Sequence, residues 1–316
     1  MSRHILIGCD GSERSEDALA LGAVLAQTLE AAPIAASIVP YSSYVLSSER
    51  ADEVVERVSA PFLAMARKHL SGHEFETRAI LNESAATGLH DLAESENAVL
   101  IVVGSSHRGA VGRVLLGSVG ASLLTGAPCG VAIAPRGYAQ RDAHSISDLV
   151  LGFDGSEEAR GALEVAVALA AQAGARVSVT GAVEPVHPYF YPVTPFDDDH
   201  YVSELKASLS RSVDEAVELA SRSGVKAHGE LVRGFAADSL IDATAEKDLL
   251  VLGSRGFGPV KRTFMGSVSS AVMQRASCPV LVVPRGGANR LAGERAADHE
   301  APPTGADETA MRGEAR

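Results

Sequence analysis

Short apolar runs alternate with segments of helical period along this chain, and the whole series is written twice. Ile5–Cys9 is an apolar run stopped by Asp10-Gly11-Ser12, after which Ala18, Leu21, Leu25 and Leu29 follow a helical period. Ile34–Val39, Phe75–Leu81, Val99–Val103 and Val131–Ala134 read as further strands, with helical segments near 49–70, 86–96 and 118–125 between them. The second series has strands at Val150–Phe153, Val177–Val183, Ala227–Val232, Leu249–Leu252 and Val280–Val283. Its first helix is framed by Ser156 as N-cap, Glu157 and Glu158 in the first turn, and Gly174 as a stop. Further helices follow near 201–222, 237–246 and 267–275. The runs at 99–103, 249–252 and 280–283 are apolar without alternation, as strands covered on both faces should be. Strand–helix alternation with right-handed crossovers predicts an α/β fold. Its form is two tandem doubly wound domains, each a five-stranded mainly parallel sheet with helices on both faces.

The repetition is literal as well as periodic. His4–Ser12 recurs as Asp148–Ser156 at an offset of 144 residues, and Val102–Ser105 recurs as Val251–Ser254 at an offset of 149. Gly117-Ser118 recurs as Gly266-Ser267, and Cys129…Pro135-Arg136-Gly137 as Cys278…Pro284-Arg285-Gly286. The second copy's net gain of five residues is assigned to the Pro- and Asp-rich stretch 185–200. These matches predict domains over 1–140 and 146–286 and a disordered tail over 287–316, where the apolar residues besides alanine are Leu291 and Met311.

Composition narrows the partners. Aromatics make up 4% of the chain and Trp is absent, so the core must be built from Ala, Val, Leu and Ile. A net charge of −12 argues against holding a nucleic-acid backbone over a long surface. No run approaches a membrane span, and the start lacks the pattern of a signal peptide, so a cytoplasmic location is expected. Cys9, Cys129 and Cys278 are too few and too dispersed for a disulfide framework or a zinc site.

Ligands of open α/β sheets bind beyond the carboxyl ends of the strands. Three features converge there in each copy: the acid ending the first strand (Asp10, Asp154), the glycine after the fourth (Gly104, Gly253), and Gly-Ser opening the last helix. The second copy spells Gly253-x2-Gly256-x9-Gly266-Ser267, a loop whose amides and following helix start suit a phosphate. With the Gly-x-Asp-Gly-Ser openings and the Cys-Pro-Val-Leu-Val-Val-Pro strand at 278–284, the chain resembles the universal stress protein family over residues 3–286. It looks like a tandem member of the ATP-binding type.

The resemblance implies that Asp10 and Asp154 lie near ribose or adenine, and that Ile38 and Ala182 line the adenine. It implies phosphate contacts from the glycine loops, from Ser118 and Ser267, and from Val268 and Ser269. ATP, with or without Mg2+, is the implied cofactor. The first copy departs from the motif: His107 stands where the second glycine belongs, and either blocks the phosphate or, as a donor, contacts it. Gly130 stands where the family usually has proline. Asp-Gly-Ser is also ordinary turn chemistry, an alternative for both acids.

Arg113, Lys261 and Arg262 are candidates to neutralise phosphate, with a solvated loop as the equal alternative. Asp197-Asp198-Asp199-His200 reads as a solvated helix-capping stretch in preference to a metal site, and Cys9 as a packing thiol. A Walker-type phosphate loop is absent. The expected function is a nucleotide-binding regulatory or stress-response module read by a protein partner, with a slow ATP hydrolase or adenylate-transferring enzyme as the alternative. The two last strands are expected to pair inside the chain as a pseudo-dimer, leaving a further homodimer open.

Overall fold

The computed structural model describes residues 3–41, 51–106, 110–141, 145–184, 198–254, 266–285 and 288–292. The first copy contributes strands β1 (His4–Gly8), β2 (Ala32–Pro40), β3 (Glu76–Asn82), β4 (Leu100–Gly104) and β5 (Gly130–Ala134). The second contributes β6 (Asp148–Gly152), β7 (Arg176–Val183), β8 (Lys226–Arg233), β9 (Leu249–Gly253) and β10 (Val280–Val283). Helices α1 (Glu13–Leu29), α2 (Ala51–His69), α3 (Ala85–Ser95) and α4 (Ser118–Gly126) connect the first set. Helices α5 (Glu157–Ala173), α6 (Asp198–Arg222), α7 (Ala236–Ala243) and α8 (Ser267–Val272) connect the second.

All ten strands form one sheet in the order β3-β2-β1-β4-β5-β10-β9-β6-β7-β8. Pairing is parallel inside each copy, and the chain reverses its direction of winding between β1 and β4 and between β6 and β9. Those two gaps are the topological switch points. The copies meet through β5 and β10, which pair antiparallel with Val131 opposite Val282 and Ile133 opposite Val280. That seam closes two edge strands that would otherwise present unpaired backbone.

Two apolar layers sandwich the sheet, and each runs through both copies. One holds Leu19, Leu25, Leu163 and Leu169 with Leu149 and Val251; the other holds Leu89, Leu123, Leu240 and Val272 with Ile101 and Leu250. Residues Leu100–Val103 of β4 are buried on both faces, which is why that run shows no alternation. Helix α5 is capped as expected: Ser156 Oγ accepts from Ala159 N, and Gly174 takes the left-handed conformation at φ 67°. Helix α1 ends at the matching position on Glu30, which is forced into the same region at φ 49°.

The expectation of a disordered tail from 287 is corrected at its first residues. Ala288–Ala292 forms a short helix, α9, packed on α5, and Leu291 is 1% exposed. A side chain at Gly130 would meet Leu291 Cδ1 at 2.5 Å, so glycine stands where the second copy has Pro279 and leaves space for the tail's leucine. Residues 293–316 lie outside the described residues, as does 185–197, where the second copy's insertion was expected.

Candidate functional site

The Asp-Gly-Ser openings fold as tight turns at the carboxyl ends of β1 and β6. Gly11 and Gly155 sit at φ 80° and 81°, a conformation that favours glycine. Asp10 Oδ1 accepts from Ser12 N at 3.0 Å, and Asp154 Oδ1 accepts from Ser156 N at 2.9 Å. In the first copy the acid is embedded further. Ser15 Oγ accepts from the amides of Asp10 and Gly11 and donates to Asp10 Oδ1 at 2.8 Å, while Arg14 binds Asp10 Oδ2. Burial opposes ionisation of Asp10, but the hydrogen bonds from Ser12 and Ser15 and the Arg14 charge outweigh it, holding the carboxyl below its ordinary range.

A cleft opens at the first copy's switch point, enclosing about 510 Å3 with its open mouth included. Asp10 and Arg14 supply its polar wall, Ala36, Ile38 and Leu89 its apolar one, and Gly104 its far end. Three expected residues, Asp10, Ile38 and Gly104, are thus brought together. Gly117 and Ser118 stand beside them: Gly117 is the N-cap of α4 at φ −84° and lies next to Ser106, and Val119 lines the cleft. Intrahelical bonding starts with Ala121 N to Gly117 O, so the amides before it point out of the helix start. His107 lies outside the described residues.

Gly104 has a structural reason of its own. A Cβ there would lie 2.8 Å from the carbonyl carbon of Arg14 and closer still to its oxygen. At Gly253 it would lie 2.7 Å from Glu158 O. The first glycine of each loop is therefore dictated by the approach of strand to helix backbone, whatever else binds there.

In the second copy Asp154, Ala182, Gly253 and the start of α8 occupy the matching positions, but Gly256, Lys261 and Arg262 lie outside the described residues. Ser267 is exposed at the helix start, with Val268 beside it. Ser269, expected at the phosphate, is buried and donates its hydroxyl to Gly253 O at 3.1 Å, tying α8 to the end of β9. Asp197 also lies outside the described residues, and Asp198 begins α6.

Arg14 lines the cleft and is the candidate that the sequence did not single out. Its counterpart is Glu158, which pairs with Arg285 at 3.3 Å, so the charge beside the cleft changes sign between copies. An i,i+4 spacing from Asp10 was the available signal. Arg113, a candidate for phosphate, instead donates to Arg275 O and Ser277 Oγ of the second copy. Around it, Val114 N binds Ala276 O and Leu116 N binds Met273 O, so the returning arm of the first loop is fastened to the turn that ends α8. The cysteines are packing groups: burial pushes Cys9 upward and takes Cys129 and Cys278 to about 12. No described helix is long and apolar enough to cross a membrane.

The family model described as "Universal stress protein family" matches residues 1–135 and again 146–284. A universal stress protein of Mycolicibacterium smegmatis is 32% identical over 302 residues, 88% of this chain and 96% of its own length. A Thermus aquaticus protein, "Universal stress protein in QAH/OAS sulfhydrylase 3'region", is 37% identical over 138 residues, 43% of this chain and 96% of its own. Among solved structures, a universal stress protein from Archaeoglobus fulgidus is similar in fold, with a TM-score of 0.65 at 18% identity over 90% of this chain and 99% of that one.

Proposed function

Because the chain belongs to the universal stress protein family, we propose that it is a nucleotide-binding regulatory module with ATP or another adenine nucleotide lying across its switch-point clefts. The observation that carries this reading is the first cleft. It offers apolar walls from Ala36, Ile38 and Leu89 for a base, Asp10 for a ribose, and the amide-presenting start of α4 for phosphate. In the second copy the same parts are Asp154, Ala182, Gly253, Gly256, Gly266, Ser267, Val268 and the Ser269 tie. Mg2+ rides on the phosphates in this reading, and a protein partner in the cytoplasm reads cleft occupancy.

Holding is favoured over cleaving. Phosphoryl transfer to water needs a group that positions or deprotonates the nucleophile. Asp10, the carboxylate that lines the first cleft, is engaged by Ser12, Ser15 and Arg14 and held ionised, which makes it a weak base.

Denaturing the purified full chain and identifying what it releases tests the reading directly, together with melting at increasing ATP. Ligand at about 100 times Kd adds roughly 2.7 kcal/mol of stability. Release of an adenine nucleotide or an ATP-dependent rise in Tm is expected. Neither appearing would overturn the proposal, and turnover above about 1 s−1 would move the protein among the hydrolases.

A further inference from the structure

Besides the change of charge from Arg14 to Glu158, the two copies differ at the floor of the switch point. Ala36 of β2 pairs with Gly8, and Thr180 of β7 pairs with Gly152, so Thr180 is the counterpart of the alanine that floors the first cleft. Backbone contacts agree, since Cys9 N binds Ala36 O and Phe153 N binds Thr180 O. Side-chain direction agrees too. Val177 and Val179 belong to the layer under α5, so the alternation of a strand turns Thr180 and Ala182 toward α7 and the cleft.

Thr180 is 1% exposed, the same burial as Ala36, and among the described residues its Oγ1 has no hydrogen-bond partner. A buried hydroxyl without a partner is costly, and native proteins rarely leave one so. One register step toward the mouth, the isoleucine of the first copy (Ile38) is replaced by Ala182. At these two positions the second copy therefore has a smaller side chain and a polar group where the first copy is apolar.

The end of the cleft near Thr180 is fixed by the sheet. In the nucleotide reading the phosphate lies beyond the end of β9, and β7 lies two strands away in the order β9-β6-β7. Two strand spacings are about 10 Å, a span that a ribose bridges between phosphate and base. Resting on the nucleotide reading given above, we propose that Thr180 is a specificity-determining residue. Its hydroxyl binds the polar edge of the base in the second cleft, while the first cleft, floored by Ala36, selects a base by shape alone.

A site-resolved competition tests this on the full chain. The protein is photolabelled with 8-azido-ATP, labelled peptides are assigned to each half, and labelling is displaced by ATP or by purine riboside triphosphate, which lacks the exocyclic amine. ATP is expected to compete about 5- to 10-fold better than the purine analogue for second-half peptides, the scale of one neutral hydrogen bond, and equally for first-half peptides. Thr180→Val should abolish the preference while leaving Tm unchanged or raised, because it removes an unpartnered group; Thr180→Ser should keep the preference. A preference that survives Thr180→Val overturns the proposal. So does a preference lost together with several degrees of Tm, which would make the hydroxyl a structural tie. Absence of second-half labelling in the unaltered protein overturns nucleotide binding at that cleft itself, a result distinct from either.

Discussion

Replacing Gly104 and Gly117, the two ends of the first loop, by alanine should separate folding from binding. At Gly104 the new methyl carbon would sit 2.8 Å from the Arg14 carbonyl carbon and also 2.8 Å from its Cβ. Real Cβ atoms are essentially never found under 3.0 Å from a neighbour. The obstacle is helix backbone, which cannot rotate aside, so β4 and α1 must move apart. Overpacking of this kind costs about 1–3 kcal/mol, while the stiffer unfolded chain returns roughly 0.4–1 kcal/mol. At roughly 2–4 °C per kcal/mol, Gly104→Ala should lower Tm by several degrees. At Gly117 the nearest atom to the new carbon is Ser106 Cβ at 3.8 Å, ordinary contact, and φ is −84°. Gly117→Ala should therefore fold with an unchanged Tm yet weaken nucleotide binding at the first cleft, because its methyl stands at the helix start. Calorimetric unfolding and titration of each variant with ATP give both numbers. A Gly104→Ala protein as stable as the parent would refute the claim that helix approach dictates this glycine. Full affinity in Gly117→Ala would refute its place at the phosphate.

Glu30→Gly should raise stability by about 1 kcal/mol, since Glu30 occupies the left-handed position that Gly174 fills in the second copy; a Tm that stays or falls on calorimetry would count against that origin. The carboxyl of Asp10 is held below its ordinary value, so its contribution is present above about pH 4 and lost as pH falls through the lower folded value. Denaturant unfolding should accordingly show Asp10→Asn less stable than the parent at pH 7 and the gap narrowing as pH falls below about 4, whereas a constant gap would show that the carboxylate charge is not involved. Cys129 and Cys278, raised to about 12 by burial, should resist alkylation at pH 8 in the native protein and react after denaturation; rapid native labelling of either would contradict their packing.

The strands and most helices were legible because each is an uninterrupted apolar run or a clean helical stripe, and the duplication gave every element a second reading. Boundaries moved by up to three residues, as at β2, which begins at Ala32 and ends at Pro40, and at α8, which ends at Val272. What the sequence could not convey was which backbone lies near which. The loop glycine at 104 suggests an approaching anion, but the nearest approach is that of a helix carbonyl. Arg113 looks available to a phosphate until the second copy's Arg275 and Ser277 appear beside it. Helix α9 was missed because a single leucine in a polar tail has no period, and its burial depends on the space left at Gly130.

The antiparallel join of β5 to β10 also decides how such a molecule can be read from outside. Strands on either side of that join run in opposite senses, so the carboxyl ends of β1 and β4 lie along one rim of the sheet and those of β6 and β9 along the other. The two mouths therefore look away from each other. In the proposed reading, a partner resting on one rim would touch one mouth and not the opposite one. A receptor contacting both would have to wrap around the ten-stranded sheet or bind as two copies, one at each rim.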